Sequence, residues 1–295
     1  MSKNLKQLSE HLIKRAKSFG ATASEAIAVK NKGLSIEVKN QNLEKIETSE
    51  TVDLGIRVFV NSQSACSSIS NVNDKTMNEM IIRAVEMAKA STHDALSLPA
   101  ENSQMLKNWA EKDFNLSDKN YKSQNFEELK NLSMEIEDTA LETKEISQCE
   151  SAGFVSNFSD FYMTTSNGFS NGYKKTSFQL FCSAIAGYGS SMERDYASES
   201  RTFLNDLPSA ASVGQLAATR AKARLNPRRP PTGSYPVLFD QRISSTLIGH
   251  LTSAMNGASI CRGSSWLLNS LNKKVLSENL TLSENPMRPK IAGSR

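Results

Sequence analysis

Val52-Asp53-Leu54-Gly55-Ile56-Arg57-Val58-Phe59-Val60 alternates between apolar and other side chains along its length. A period of two puts Val52, Leu54, Ile56, Val58 and Val60 on one side of an extended chain, the pattern of a strand with one buried face. Working outward, Ala26-Ile27-Ala28-Val29 and Leu34-Ser35-Ile36-Glu37-Val38 read as further strands with Asn31-Lys32-Gly33 as their turn, and Ser64 to Ile69 as a strand returning after Asn61-Ser62. Before this meander in the chain Leu5, Leu8, Leu12, Ile13 and Ala16 share a helical face that Gly20 ends. After it, Met77, Met80, Ile81, Ala84, Val85 and Ala88 form a second stripe, with Asp74 as candidate N-cap. Residues 1–98 are thus expected to form an antiparallel sheet flanked by helices.

The composition turns polar from Ser91 to Gln124, so 99–124 is read as a connection crossing a surface. A helix near Phe126–Lys144, capped by Ser123 or Asn125, buries Leu129, Leu132, Met134, Ile136 and Ala140 and leaves its charges to solvent. Strands follow at Ile146–Val155 and Asp160–Thr165 around a Ser156–Ser159 turn, then at Ser177–Ala186. Asn167-Gly168 and Asn171-Gly172 are both turn signals, because Asn and Gly tolerate positive φ. Glu193–Phe203 reads as a surface strand or loop, and the Ala-rich Ser212–Leu225 as a helix stopped by Asn226-Pro227. These elements make 125–229 an α+β central domain.

Beyond Pro230-Pro231, Tyr235–Asp240 reads as a short buried strand, Arg242–Met255 as a helix, and the stretch through Trp266, Leu267, Leu268 and Leu271 as an amphipathic piece. Only about 65 residues remain here, near the lower limit for an independent core. Residues 230–295 therefore read as the start of an incomplete, β-rich C-terminal domain. The fold class is α+β throughout.

A net charge of +4 from 35 basic and 31 acidic residues demands no polyanionic partner. The N-terminus interleaves charges with leucines rather than forming a signal peptide, and no stretch reaches the roughly twenty apolar residues that span a bilayer. A cytoplasmic protein is expected. Cys66, Cys149, Cys182 and Cys261 lie far apart without metal-ligand spacing, and are read as free, mostly buried thiols. Gly187-Tyr188-Gly189-Ser190-Ser191 matches no phosphate-binding loop, and no Gly-x-Ser-x-Gly elbow occurs.

The stretch bearing on chemistry is Ser245-Thr246-Leu247-Ile248-Gly249-His250. Its surroundings, together with Ile56-Arg57-Val58-Phe59, Ser166-Asn167-Gly168-Phe169, Asn226-Pro227-Arg228-Arg229, Pro236-Val237-Leu238-Phe239 and Ser264-Ser265-Trp266-Leu267, resemble the TldD/PmbA metallopeptidase family. The resemblance is nearer to its PmbA branch, also called TldE, and to a carboxy-terminally truncated member. It implies a cytoplasmic heterodimer in which a TldD-type catalytic subunit binds zinc through His-Glu-x-x-x-His and hydrolyses unfolded peptides. The PmbA-type subunit completes the chamber. Here Ser245 and Thr246 stand where the family's His and Glu stand, so no metal or cofactor is expected on this chain and zinc is expected in the partner. Zinc catalysis needs about three protein ligands and an open position.

By its chemistry alone, His250 reads first as a packed imidazole bonded to a backbone carbonyl, with Gly249 admitting a close neighbour. Contact with substrate or a partner subunit is the second reading, and metal ligation the least favoured. Two other functions compete. One is a peptide-binding or assembly protein without hydrolytic activity, which takes extended peptides on strand edges. The other, less favoured, is nucleic-acid binding through Arg220, Lys222, Arg224, Arg228 and Arg229, a cluster better explained as a solvated helix end.

Overall fold

A computed structural model describes residues 4–96, 98–105, 114–119, 121 and 125–291. Ser123, the alternative cap, lies outside them. The chain divides into two compact units, residues 1–227 with 286–295 and residues 228–285.

In the first unit a helix α1 (Leu5–Ser18) opens the chain. It is followed by strands β1 (Ala23–Lys39), β2 (Asn42–Val60) and β3 (Gln63–Ile69) and by helix α2 (Asp74–Ala90). Then come α3 (Phe126–Leu141), β4 (Ile146–Thr165), β5 (Ser170–Ala186), β6 (Glu193–Arg201) and α4 (Ala210–Ala223). The strands form one antiparallel sheet in the order β3-β2-β1-β4-β5-β6. The expected segments 1–98 and 125–229 share it, because β1 pairs with β4 from Glu25–Thr165 to Val38–Ala152.

Side chains on one face of the sheet build both cores. Ala26, Ala28, Leu54, Ile56 and Val58 pack with Leu8, Leu12 and Ala16 of α1 and with the whole apolar stripe of α2. Farther along the same strands Ile36, Val38, Phe154, Phe178 and Leu180 pack with Ile136 and Ala140 of α3 and with Val213 and Ala217 of α4. Ala26, Ala28, Ile36 and Val38 have the same parity on β1, so both helix pairs cover one face, and among the described residues of the first unit no helix covers the opposite face. A bond of 2.7 Å between the buried hydroxyls of Ser9 and Thr164 ties α1 to β4.

Several local expectations change. Asn31-Lys32-Gly33 and Ser156–Ser159 do not turn but form rungs of two long strands, with Asn31 opposite Ser159 and Gly33 opposite Asn157. Ser159 Oγ donates to Asn31 Oδ1 at 2.7 Å, so these polar groups satisfy one another across the sheet. The β1–β2 turn is Asn40-Gln41, both with positive φ (52° and 59°). Asn167-Gly168 does turn, with Gly168 at φ 102°. Asn171-Gly172 instead lies inside β5, where a Cβ at Gly172 would sit 2.2 Å from the Phe161 carbonyl oxygen. The N-cap of α2 is Asn73, not Asp74, its side chain accepting from the Thr76 amide.

Within the connecting segment, Phe114, Leu116 and Asp118 are buried rather than laid over a surface. The Thr176 amide donates to the Leu116 carbonyl at 2.9 Å and Asp118 accepts from the Leu204 amide at 3.0 Å. Glu137 of α3 is completely buried, against the expectation that the charges of that helix are solvated. All four cysteines are free, as expected; Cys149 and Cys182 are buried 3.9 Å apart, but Cys66 and Cys261 are exposed, so only half of them are buried. The contact with Cys149, then burial, pushes the Cys182 thiol far above its usual range.

The second unit holds α5 (Gln241–Ala254) and α6 (Gly257–Cys261). No strand forms among its described residues. Tyr235–Asp240, expected to be a buried strand, is an unpaired exposed segment with Val237 72% and Leu238 98% exposed. Pro236 lacks an amide donor, and no strand of this unit offers an edge to pair with. The Trp266–Leu271 stretch is a series of turns that buries Leu267 and leaves Trp266 exposed. The core of the unit is Leu251, Ala254 and Leu267, with Leu276 packed against them. So small a core predicts easy opening. Limited proteolysis read by mass spectrometry is expected to cut within 228–285 at least about tenfold faster than within α3, β4, β5 or α4. Equal rates would mean that the unit is held more firmly than its packing accounts for.

Candidate functional site

Helix α5 begins at Asp240, whose carboxylate accepts from the Arg242 amide at 2.9 Å, a cap that also suits the positive end of the helix dipole. Its C-terminal half is anchored. Leu251 and Ala254 are buried, and Ser265 Oγ donates to the Ala254 carbonyl at 2.6 Å while accepting from the Leu267 amide at 3.0 Å. The spacing Leu251, Ala254 fixes which side of the helix faces inward. The other side carries the residues singled out in the sequence.

Ser245, Thr246, Gly249 and His250 are all exposed. Thr246 Oγ1 is turned back onto its own helix, donating to the Ile243 carbonyl at 2.5 Å. The packed reading of His250 is not what the structure has, since the ring is in solvent and bonds to no carbonyl among the described residues. Gly249 does not serve a close approach either, because a Cβ there would meet nothing within 4 Å. The reason for both is that the anchoring residues Leu251 and Ala254 draw a different side of α5 inward.

The donor set on this helix does not fit zinc. From Gln241 to Ala254 there is one imidazole, no carboxylate and no thiol. Residues 245 and 250 are separated by about 140° on a regular helix, so a single metal ion could not take ligands from both without distortion. Among the described residues no group of three His, Cys, Asp or Glu side chains could hold a metal ion. His11 lies on α1 and His93 follows α2.

The basic run divides. Arg220 Nη1 donates to the Tyr196 carbonyl at 3.1 Å, Lys222 pairs with Glu145 at 2.7 Å, and Arg224 pairs at 2.7 Å with the buried Asp195. Arg228 and Arg229 are exposed. A nucleic-acid surface would need these cations aimed outward together, and three of the five are committed to their own fold.

One hollow went unnoticed in the sequence. It lies on the helix-free face around Gly55, lined by Glu25, Ile27, Arg57 and Met163 among others. The available signal was Gly55 itself, a glycine inside an otherwise apolar alternating strand.

The class these features define is an α+β protein with two helix pairs on one face of a six-stranded antiparallel sheet, and a separate helical unit bearing Ser-Thr-x-x-x-His. The chain belongs to the PmbA/TldD metallopeptidase family: models of PmbA/TldA metallopeptidase domain 1, central domain and C-terminal domain match residues 24–88, 119–225 and 232–295. It is 30% identical over 271 residues to Metalloprotease PmbA of Escherichia coli O157:H7, covering 92% of this chain and 59% of that protein. It is 28% identical over 285 residues to a Metalloprotease PmbA homolog of Haemophilus influenzae, covering 96% and 62%. The chain thus spans about three fifths of the length of these relatives. Among solved structures it is similar in fold to a candidate modulator of DNA gyrase from Bacteroides thetaiotaomicron, with a TM-score of 0.90 at 24% identity over 100% of this chain and 67% of that one. Against TldE from Thermococcus kodakarensis the TM-score is 0.68 at 14% identity, covering 89% and 58%. No helix among the described residues is long and apolar enough to cross a membrane.

Proposed function

We propose that this chain acts as the PmbA/TldE-type, non-catalytic subunit of a cytoplasmic zinc peptidase, supplying walls of a chamber whose metal and water-activating carboxylate come from a TldD-type partner. The observation that carries the reading is the exposed face of α5, where Ser245 and Thr246 offer hydroxyls and His250 is the sole imidazole. Hydroxyls are poor zinc ligands and cannot act as the general base at neutral pH. Family membership supports a peptidase role, and unfolded peptides are the substrate class we assign to the assembly. In it, Gly249 and His250 would contact substrate or the partner subunit.

The test is co-purification. Full-length chain is expected to retain a TldD-type protein containing about one zinc per heterodimer and to bind no stoichiometric zinc alone. His250→Ala is expected to leave zinc content unchanged while lowering peptide hydrolysis by the pair. A purified chain that binds zinc one to one and cleaves peptides unaided would sink the reading. If no TldD-type protein is retained and the chain still binds extended peptides, the non-hydrolytic peptide-binding alternative is the better account.

A further inference from the structure

The hollow around Gly55 has a cavity volume of about 350 Å³, at the lower end of the small-ligand range. Two cross-strand rows make it. In one, Arg57 of β2 lies between Cys66 of β3 and Glu25 of β1; in the other, Gly55 lies between Ser68 and Ile27, and Ile27 faces Met163 of β4. All project from the helix-free face. The floor is apolar, from Ile27 and Met163, and Gly55, with no side chain, leaves the middle of the hollow open. An added Cβ there would meet nothing within 4 Å and the backbone is not left-handed, so the fold does not require glycine at this position.

The charges beside the hollow are unusual in one respect. Glu25 and Arg57 are direct cross-strand neighbours, a placement that brings Cβ atoms to about 5 Å, yet no ion pair joins them. The Arg57 guanidinium lies instead over the Phe59 ring, 4.8 Å from its centroid. Among the described residues, an anion and a cation without ion-pair partners thus stand side by side at the rim of an apolar recess.

We infer that this recess binds a free apolar α-amino acid, its carboxylate on Arg57, its ammonium on Glu25 and its side chain over Gly55 against Ile27 and Met163. The two charges stand on directly paired residues, which suits a ligand that carries both of its own charges close together. An α-amino acid carries both charges on one carbon, whereas each added residue separates the termini of a peptide by up to about 3.5 Å, and a peptide interior carries neither charge. The recess is built by strands of the first unit alone, and the inference holds whether or not a zinc-bearing partner is found.

Cys66 lines the recess and is exposed, which makes it a reporter. In the full chain carrying Cys261→Ser, the rate of maleimide modification of Cys66 is measured with leucine, methionine, leucyl-leucine and N-acetyl-leucine amide. Leucine or methionine at roughly 10 mM is expected to slow modification about fivefold or more, as a Kd near or below the millimolar range requires. Gly55→Val projects a branched side chain suited to a strand into the middle of the recess and is expected to abolish protection with an unchanged circular dichroism spectrum. Arg57→Gln and Glu25→Gln are each expected to weaken binding about tenfold, and they keep the test decisive should Gly55→Val misfold. The inference is overturned if neither amino acid protects Cys66, or if protection survives Gly55→Val or both charge substitutions. Protection by leucyl-leucine or N-acetyl-leucine amide equal to or better than that by leucine also overturns it.

Discussion

Glu137→Ala is expected to lower the stability of the first unit by about 2–4 kcal/mol, read as a drop in the midpoint of chemical denaturation. The carboxylate is buried on α3 and its two oxygens divide between consecutive amides of the β1–β2 turn, Oε1 accepting from Asn40 N and Oε2 from Gln41 N, each at 2.8 Å. Gln41 Nε2 adds a third bond at 3.3 Å. The turn is a two-residue hairpin loop between Lys39 and Asn42 in which both residues are left-handed, and neither is glycine. Such turns favour Asn-Gly, so a Gln at the second position adds strain that the carboxylate offsets by fixing both amides. Alanine would leave the two donors without their acceptor and open a void beneath them. Glu137→Gln retains one amide oxygen and is expected to cost about half as much, because one turn amide then faces an NH₂ group. A loss below about 1 kcal/mol for the alanine variant would mean that water replaces the carboxylate freely.

Glu137 also shows what was legible in the sequence. The buried residues of α3 are Leu129, Ser133, Ile136, Glu137 and Ala140, a stripe at helical spacing that admits the serine and the glutamate along with the apolar positions. Position 137 was inside by geometry; its charge made it look solvated. The strands from Leu54 to Val58 and the α2 stripe were plain because hydrophobic burial alone defines them. The long strands were not, because their middle rungs are polar on both faces: Asn31, Asn157 and Ser159 lie on the face opposite the helices, Ser156 is buried on the helix-bearing side, and together their composition imitates a turn. At α5 the helix was legible to within a residue at each end, but the exposure of His250 was not. Which side of an amphipathic helix faces inward depends on the few contacts a small unit can make, here Leu251 and Ala254 against Leu267.

Gly214→Leu is expected to cost about 3 kcal/mol or more, and Gly214→Ala about 1–3 kcal/mol, by overpacking the α3–α4 crossing. A Cβ at Gly214 would lie 2.2 Å from the Ile136 carbonyl oxygen and 3.2 Å from the Ala140 amide nitrogen, both backbone atoms that cannot swing aside. The sign of the alanine result is diagnostic. Ala is the better helix former by about 1 kcal/mol, so without the close crossing Gly214→Ala would stabilise the protein. A stabilised alanine variant would show that α3 and α4 stand farther apart than this contact requires. The atom in the way belongs to Ile136, the residue before Glu137, so relieving the clash moves the backbone from which the carboxylate reaches Asn40 and Gln41. The two sites are therefore expected to couple. Once Gly214→Ala has displaced α3, part of the turn's hydrogen bonding is already lost, and Glu137→Ala added to it should cost less than it does alone. A double-mutant cycle is expected to show a coupling of about 0.5–2 kcal/mol, whereas strict additivity would mean that α3 yields at Ile136 without carrying Glu137 with it.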